Sequence, residues 1–193
     1  MKQDLILEQR VLEEVRKAIS EGIDINPASV KPESSLMKDL GAESLDFLDI
    51  NYRLEQTFGI KMARRSVLDH MEELFGEETA IDSDGKLTDK AAEVLAIRYD
   101  GSGYKLNAGM DMDDLPAMVT VSSIVEGVMN LLDTLPEKCG NCGAQSWDLR
   151  EETHIHCGSC GEAAAFTSGD DLIQSWLKQV QENNKIFLQQ DKL

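Results

Sequence analysis

Four cysteines form the clearest chemical pattern in this chain of 193 residues. They make two Cys-x-x-Cys pairs, each followed directly by glycine, with fourteen residues between the pairs. A two-residue gap lets the backbone fold back so that both sulfurs of a pair face one ion, and four thiolates fill a tetrahedral shell. Because no position is left for water or substrate, we expect a structural metal site. The predicted ligands are Cys139, Cys142, Cys157 and Cys160.

The predicted metal is Zn²⁺, and iron in the same four-sulfur shell is an alternative. Thioredoxin-like redox chemistry is a weaker alternative, because it needs only one pair and an α/β pattern around it.

Ser44 is the second candidate, because it lies where a loop ends at Gly41 and an apolar-periodic helix begins. A helix start has unpaired backbone N–H groups and the positive end of the helix dipole, which both favour an attached phosphate. A serine here has an ordinary alternative role as an N-cap, in which its hydroxyl accepts a bond from a backbone N–H. Ser44 taken alone favours that cap.

The residues around Ser44 carry a family resemblance. The pattern Leu36-x-x-Asp39-Leu40-Gly41-x-x-Ser44-Leu45-Asp46, followed by Leu54-Glu55-x-x-Phe58-Gly59-Ile60, closely resembles the acyl carrier protein family. The resemblance covers residues 4–62 and resumes over 114–134. In that family the serine of an Asp-Ser-Leu motif carries 4′-phosphopantetheine, which implies the same covalent group on Ser44. Glu43 replaces the motif's Asp and keeps its charge on a longer side chain.

The resemblance implies a carrier rather than an enzyme. A phosphopantetheinyl transferase would modify Ser44, and the terminal thiol would hold acyl groups as thioesters for fatty acid, specialised lipid or polyketide synthesis. Acyl-transferring and acyl-processing enzymes with basic docking surfaces would bind the start of the second helix. The implied partner-binding residues are Glu43, Leu45, Asp46 and Asp49. By default such an acidic face is only solvated, and Leu45 has an alternative place in the core.

The formal net charge of −17 argues against binding to nucleic acid and favours basic partners. No apolar run approaches the ~20 residues of a membrane span, and residues 1–4 do not open a signal peptide. Cysteines that occur only in metal-ligand pairs fit a reducing compartment. We therefore expect a cytoplasmic protein.

Helical periodicity predicts helices over residues 4–21, 44–58, 66–75, 88–99 and 116–135. The helix from Ser44 has one broad apolar face, predicted to comprise Leu45, Phe47, Leu48, Ile50, Tyr52, Leu54 and Phe58. Residues from about 62 to 113 form an insertion relative to the resembling family, and we expect them to reshape a cargo pocket or a docking surface. Within it, residues 82–85 and 100–103 are predicted turns, and His70 receives no catalytic role.

Strand character over residues 146–149, 153–156 and 163–167 predicts a small zinc ribbon around the cysteines. Residues 136–168 carry a net charge of −3, so a protein-docking or stabilising module fits better than a nucleic-acid-binding one. His154 and His156 are expected to lie at the surface or next to the metal site and not to be metal ligands. A final helix from about residue 169 has an apolar stripe, which the ribbon, the bundle, a partner or a second copy would cover.

The predicted fold class is mainly α: a four-helix acyl-carrier-like bundle with a helical insertion, a small β zinc ribbon and a C-terminal helix. The predicted domains are 1–135, with the insertion at about 62–113, then 136–168 and 169–193. The predicted function is an acyl carrier, and the alternative is a non-carrier interaction scaffold that has a carrier-like fold and a structural zinc ribbon.

Overall fold

The computed structural model describes residues 2–98, 107–111 and 115–187. This part of the chain is mainly helical with one hairpin, which confirms the predicted class. Its six α-helices are α1 (Glu8–Gly22), α2 (Ser44–Phe58), α3 (Val67–Phe75), α4 (Asp89–Arg98), α5 (Val121–Leu132) and α6 (Gly169–Asn184). Short 3-10 helices cover Pro27–Ser29 and Pro116–Met118. None of the described helices is both long and apolar enough to cross a membrane.

Strands β1 (Trp147–Arg150) and β2 (His154–Cys157) pair antiparallel, with Trp147 opposite Cys157. The third strand predicted over 163–167 is wrong: only one bridge forms there, between His156 and Ala163. The turn predicted at 82–85 is present, because the Asp82 carboxylate accepts the backbone N–H groups of Asp84 and Lys86. The turn predicted at 100–103 lies outside the described residues.

The described chain divides into two compact units. The first unit contains residues 1–62 and 119–169, and therefore α1, α2, α5 and the hairpin. Within it, α1 packs against both α2 and α5. Apolar side chains at helical spacing meet in its interior, which is how amphipathic helices bury their faces. Its fully buried apolar residues include Val11, Val15, Ile19, Leu36, Leu54, Phe58, Val121, Val128 and Leu132.

The long segment between α1 and α2 is fixed to the residues that precede α5. The Leu36 N–H donates to the Val119 carbonyl at 3.0 Å, and the Val121 N–H donates to the Ser34 carbonyl at 3.1 Å. Leu36 and Val30 are almost completely buried. This connection therefore has its backbone satisfied and its apolar side chains inside, and it delivers the chain to the start of α2.

The second unit contains residues 63–118 together with 170–193. Its core combines α3, α4 and α6, so the insertion and the last helix form one structure. The apolar stripe of α6 packs against the inserted helices α3 and α4. The sequence predicts the ribbon, the bundle, a partner or a second copy in this place. The buried core residues are Val67, Leu68, Met71, Ala80, Leu87, Ala91, Val94, Leu95, Ile173, Leu177 and Val180.

A buried histidine connects α3 to the start of α6 within the second unit. His70 is 1% exposed, and its Nε2 lies 2.9 Å from the Asp170 carboxylate. The same carboxylate accepts the backbone N–H groups of Arg64 and Arg65. Partial burial raises the pKa of Asp170, but the hydrogen bonds from His70 and from these two N–H groups more than offset it, so the pKa lies below its ordinary value of 3.8. His70 is thus structural.

We expect Leu177→Ala to unfold the second unit selectively. Leu177 is 0% exposed in that core, and truncation of such a side chain costs about 2–5 kcal/mol of unfolding free energy. Hydrogen exchange of the full chain should show lost protection in α3 and α4, while α1 and α5 keep theirs. Lys178→Ala, at the exposed next position of α6, is the control. Equal loss of protection in α1 and α5 would show that the two units do not fold separately.

The second unit should also lose stability in acid through Asp170. A carboxylate whose pKa is lower in the folded state stabilises above its unfolded pKa, and this contribution disappears as the pH falls through the folded value. Asp170→Asn should therefore lower unfolding free energy by about 1–3 kcal/mol at pH 7. The difference in unfolding free energy between this variant and the parent protein should disappear below pH ~4. Denaturant unfolding followed by Trp176 fluorescence, in a Trp147→Phe background, measures this. Glu182→Gln is the control, and a gap that is independent of pH contradicts the assignment.

Candidate functional site

Ser44 is exposed and is the first residue of α2, while Glu43 occupies the N-cap position. The Ser44 hydroxyl makes no hydrogen bond to any residue in the described part of the chain, so the alternative N-cap role is not seen. The start of α2 is closed instead by the Asp46 carboxylate, which accepts the Glu43 N–H at 2.6 Å. The hydroxyl is thus free for chemistry at a helix N-terminus, where the dipole favours a phosphodiester.

The loop before Ser44 presents this helix start. Gly41 has a φ of +76°, in the left-handed region that glycine adopts without strain. The next residue, Ala42, is buried, and its N–H donates to the Leu36 carbonyl at 2.8 Å. The chain is therefore anchored two residues before Ser44, although Ser44 itself is open to solvent.

One predicted feature of α2 is wrong. Ile50, Leu54 and Phe58 are buried, but Leu45, Leu48 and Tyr52 are 76%, 56% and 57% exposed. These three exposed residues, at positions i, i+3 and i+7, form a second apolar stripe that begins beside Ser44. Helical spacing grouped both stripes into one face because a helix with apolar residues on two sides shows the same short intervals. We call Leu45, Leu48 and Tyr52 the exposed stripe.

Acidic groups lie beside the exposed stripe, but internal contacts occupy some of them. The Asp49 carboxylate accepts a hydrogen bond from Arg53 Nε at 2.7 Å, and Arg53 also reaches Glu21 of α1 at 2.9 Å. The hydrogen bond with Asp49 is the main cause of a raised pKa at Arg53. Glu43 is exposed. Arg53 thus neutralises part of the acidic surface that the sequence predicts around Asp49.

The four cysteines converge, as their spacing predicts. Each sulfur lies within 4.8 Å of the other three. Cys139 Sγ is 3.7 Å from Cys160 Sγ, and Cys142 Sγ is 3.6 Å from Cys157 Sγ. Four sulfurs at ~2.3 Å from a tetrahedral zinc ion are about 3.8 Å apart. The donor set and its spacing therefore fit such an ion.

Two matching turns shape the cysteine site. The Gly143 N–H donates to the Cys139 carbonyl, and the Gly161 N–H donates to the Cys157 carbonyl, both at 2.8 Å. Gly143 and Gly161 have φ angles of +74° and +78°, in the left-handed region that glycine adopts without strain. The backbone N–H groups of Cys160 and Ser159 lower the pKa of the Cys157 thiol to about 6. At Cys142 the Ala144 N–H acts in the same direction, but the contacts with the sulfurs of Cys160 and Cys157 outweigh it and raise the pKa to about 12, so in the absence of an ion these thiols share their protons unequally.

The histidines beside the cysteines are not part of this sulfur cluster. His156 Nδ1 lies 3.2 Å from the Gly161 carbonyl, and His154 Nδ1 lies 3.3 Å from the Thr153 hydroxyl. The Asn141 side chain instead donates to Cys160 Sγ at 3.7 Å. Asn141 is not among the predicted site residues, although an amide inside a cysteine pair is a signal for such a contact.

Comparison with known proteins identifies relatives of the Ser44 region. The family described as "Phosphopantetheine attachment site" matches residues 13–72. The acyl carrier protein of Campylobacter hominis is 42% identical over 52 residues, which are 27% of this chain and 66% of that protein. The acyl carrier protein of Helicobacter pylori strain G27 is 36% identical over 52 residues, covering 27% and 67%. The chain thus spans about two thirds of these relatives. No solved structure matches it.

The cysteine geometry predicts one tightly bound metal ion per chain. Thiol titration of the zinc-loaded full chain should find all four cysteines protected until a chelator is added, and Cys142→Ser should bind zinc much more weakly. Acid should release the ion, because protonation removes thiolate ligands. His154→Asn, which leaves the sulfur cluster intact, is the control. Four immediately reactive thiols in a chain supplied with zinc would contradict this prediction.

Proposed function

Because this chain belongs to the acyl carrier protein family, we propose that it carries acyl groups as thioesters on 4′-phosphopantetheine attached to Ser44. The observation that supports this best is the free, exposed Ser44 hydroxyl at the first residue of α2. The prosthetic group supplies a thiol on a flexible arm. The chain supplies the attachment point and the surface that other proteins bind.

The fold allows Ser44 to be modified without structural loss. Its hydroxyl contributes no hydrogen bond to a described residue, and α2 is held through Ile50, Leu54 and Phe58 further along. A phosphodiester on Ser44 oxygen adds negative charge at the positive end of the helix dipole. The Asp46 carboxylate already accepts the Glu43 N–H, so the first turn of α2 does not need the Ser44 hydroxyl for its own hydrogen bonding.

We propose that the partners are a phosphopantetheinyl transferase and acyl-transferring or acyl-processing enzymes. Their docking surface would be the exposed stripe with its acidic neighbours Glu43, Asp46 and Asp49. Exposed apolar side chains gain free energy when a partner covers them, and the surrounding carboxylates favour basic groups on that partner. The chain's net charge of −17 strengthens the attraction at a distance.

The same proposal indicates the class of pathway but not one particular pathway. A thioester carrier serves fatty acid, specialised lipid or polyketide synthesis, and the chain itself performs no reaction on the acyl group. The four cysteines would hold a structural zinc ion, with iron as the alternative metal. Such a filled four-sulfur shell stabilises the fold and leaves no coordination position for catalysis.

Two serine variants separate modification from helix capping. Ser44→Ala should abolish the mass increment that a phosphopantetheinyl transferase and coenzyme A add to the full chain, with little change in stability. Ser66 is the matched serine, because its hydroxyl caps α3 by accepting the Asp69 N–H at 3.1 Å. Ser66→Ala should keep the increment and lose about 1 kcal/mol of unfolding free energy.

Intact mass and denaturant unfolding of both variants measure these effects. Native protein that lacks the increment, or an increment retained by Ser44→Ala, would favour a non-carrier scaffold over a carrier. Acyl adducts on native protein would identify the cargo directly.

A further inference from the structure

The hairpin and its cysteines belong to the same compact unit as the helices that present Ser44. We call residues 136–168 the ribbon. Polar contacts connect the ribbon or its ends to three places on the rest of the first unit. They are the Arg10–Glu152 ion pair at 3.1 Å, the Thr167 N–H bond to Thr134 Oγ1 at 2.9 Å, and the Gly169 N–H bond to the Lys61 carbonyl at 2.8 Å.

Apolar packing supports the same attachment. Ile155 and Thr153 are buried at 3% and 6% exposure, although the hairpin has only two short strands. Strand β2 packs against α2. At the end of α2, a Cβ atom on Gly59 would lie 3.6 Å from the His154 ring, so the ring lies directly over this glycine. The ribbon therefore covers the C-terminal end of α2.

The hairpin turn has a backbone conformation that is unfavourable for its own residues. Glu151 and Glu152 have φ angles of 50° and 64°, a left-handed conformation that asparagine and glycine tolerate much better. Arg10 Nη2 of α1 lies 3.1 Å from the exposed Glu152 carboxylate and 2.8 Å from that of Glu14 in its own helix, so it connects this turn to α1. An isolated two-stranded hairpin is also only marginally stable in water. The ordered hairpin thus depends on two external supports, namely the helices and an ion bound by the four cysteines.

These two supports must be coupled. A ligand that binds only the folded ribbon stabilises everything that folds with it, and the coupling between two sites is reciprocal. We propose that the metal at the four cysteines braces the carrier helices, with Arg10 and Glu152 as positioning residues that join the ribbon to α1. This proposal rests on metal binding in the proposed function, and it adds that the ion controls the order of α1 and of the C-terminal half of α2.

The brace acts at the end of α2 that is far from Ser44. Fifteen helical residues span about 22 Å, so the contact of the ribbon with Gly59 is far from Ser44. Loss of the ion would instead release the C-terminal turns of α2 and the start of α1 from the ribbon. Partners that recognise a rigid α2 would then meet a looser helix.

Hydrogen exchange of the full chain, zinc-loaded and after chelation, tests the brace. Chelation should speed exchange at least tenfold in residues 54–62 and in α1, as well as in the ribbon. Faster exchange that stays within residues 136–168 would overturn the proposal. A chain that binds no zinc in the loading step would instead refute the metal site itself, and that outcome leaves the Ser44 carrier proposal intact.

The reciprocal measurement uses neighbouring glutamates. Glu152→Gln removes the Arg10 contact, while Glu151→Gln makes the same charge change in the same turn without it. Competition with a chromophoric chelator at low salt should show two- to fivefold weaker zinc binding by Glu152→Gln than by Glu151→Gln, as expected for an exposed ion pair. Equal zinc affinities of the two variants would overturn the coupling between α1 and the ribbon.

Discussion

The asymmetric burial of α2 is the constraint on which the rest of the first unit depends. Ile50, Leu54 and Phe58 recur every four residues and fix the second half of the helix in the core. The first turn is left outside that core, where Ser44 and Leu45 reach solvent. A helix anchored in this way can offer its N-terminus to other proteins without losing its own position.

The bundle also accommodates a large insertion between α2 and α5. The chain enters the second unit after residue 62 and returns to the first at residue 119. At that point the Val119 carbonyl immediately accepts the Leu36 N–H, and α5 follows two residues later. Backbone hydrogen bonds to the segment around Leu36 thus tie the returning chain to the first unit. The inserted helices have their own core, which α6 completes from the far end of the sequence.

The ribbon shows a different way to obtain order. It has two strands of four residues each, too little apolar area for a core of its own. Four convergent sulfurs and the adjacent helices replace that core.

Local pattern in the sequence determined most of the elements and both candidate sites. The bounds of α2, the four cysteines and the position of Ser44 all follow from residue types at short intervals, because periodicity, glycine turns and ligand spacing are local properties. The resemblance around Ser44 was likewise readable from a continuous stretch, and the relatives confirm it.

Only the tertiary structure decided which apolar residues face inward and which segments pack together. Leu48 and Leu54 are the same residue type in the same helix, but Leu48 is 56% exposed and Leu54 is 0% exposed because only one side of α2 packs into the core. The cover of α6 comes from helices about a hundred residues earlier, as does the partner of His70, 100 positions away in sequence. Such pairings are not encoded in any short interval, since many apolar faces of similar size could cover one another. The energy of the assembled cores selects among them.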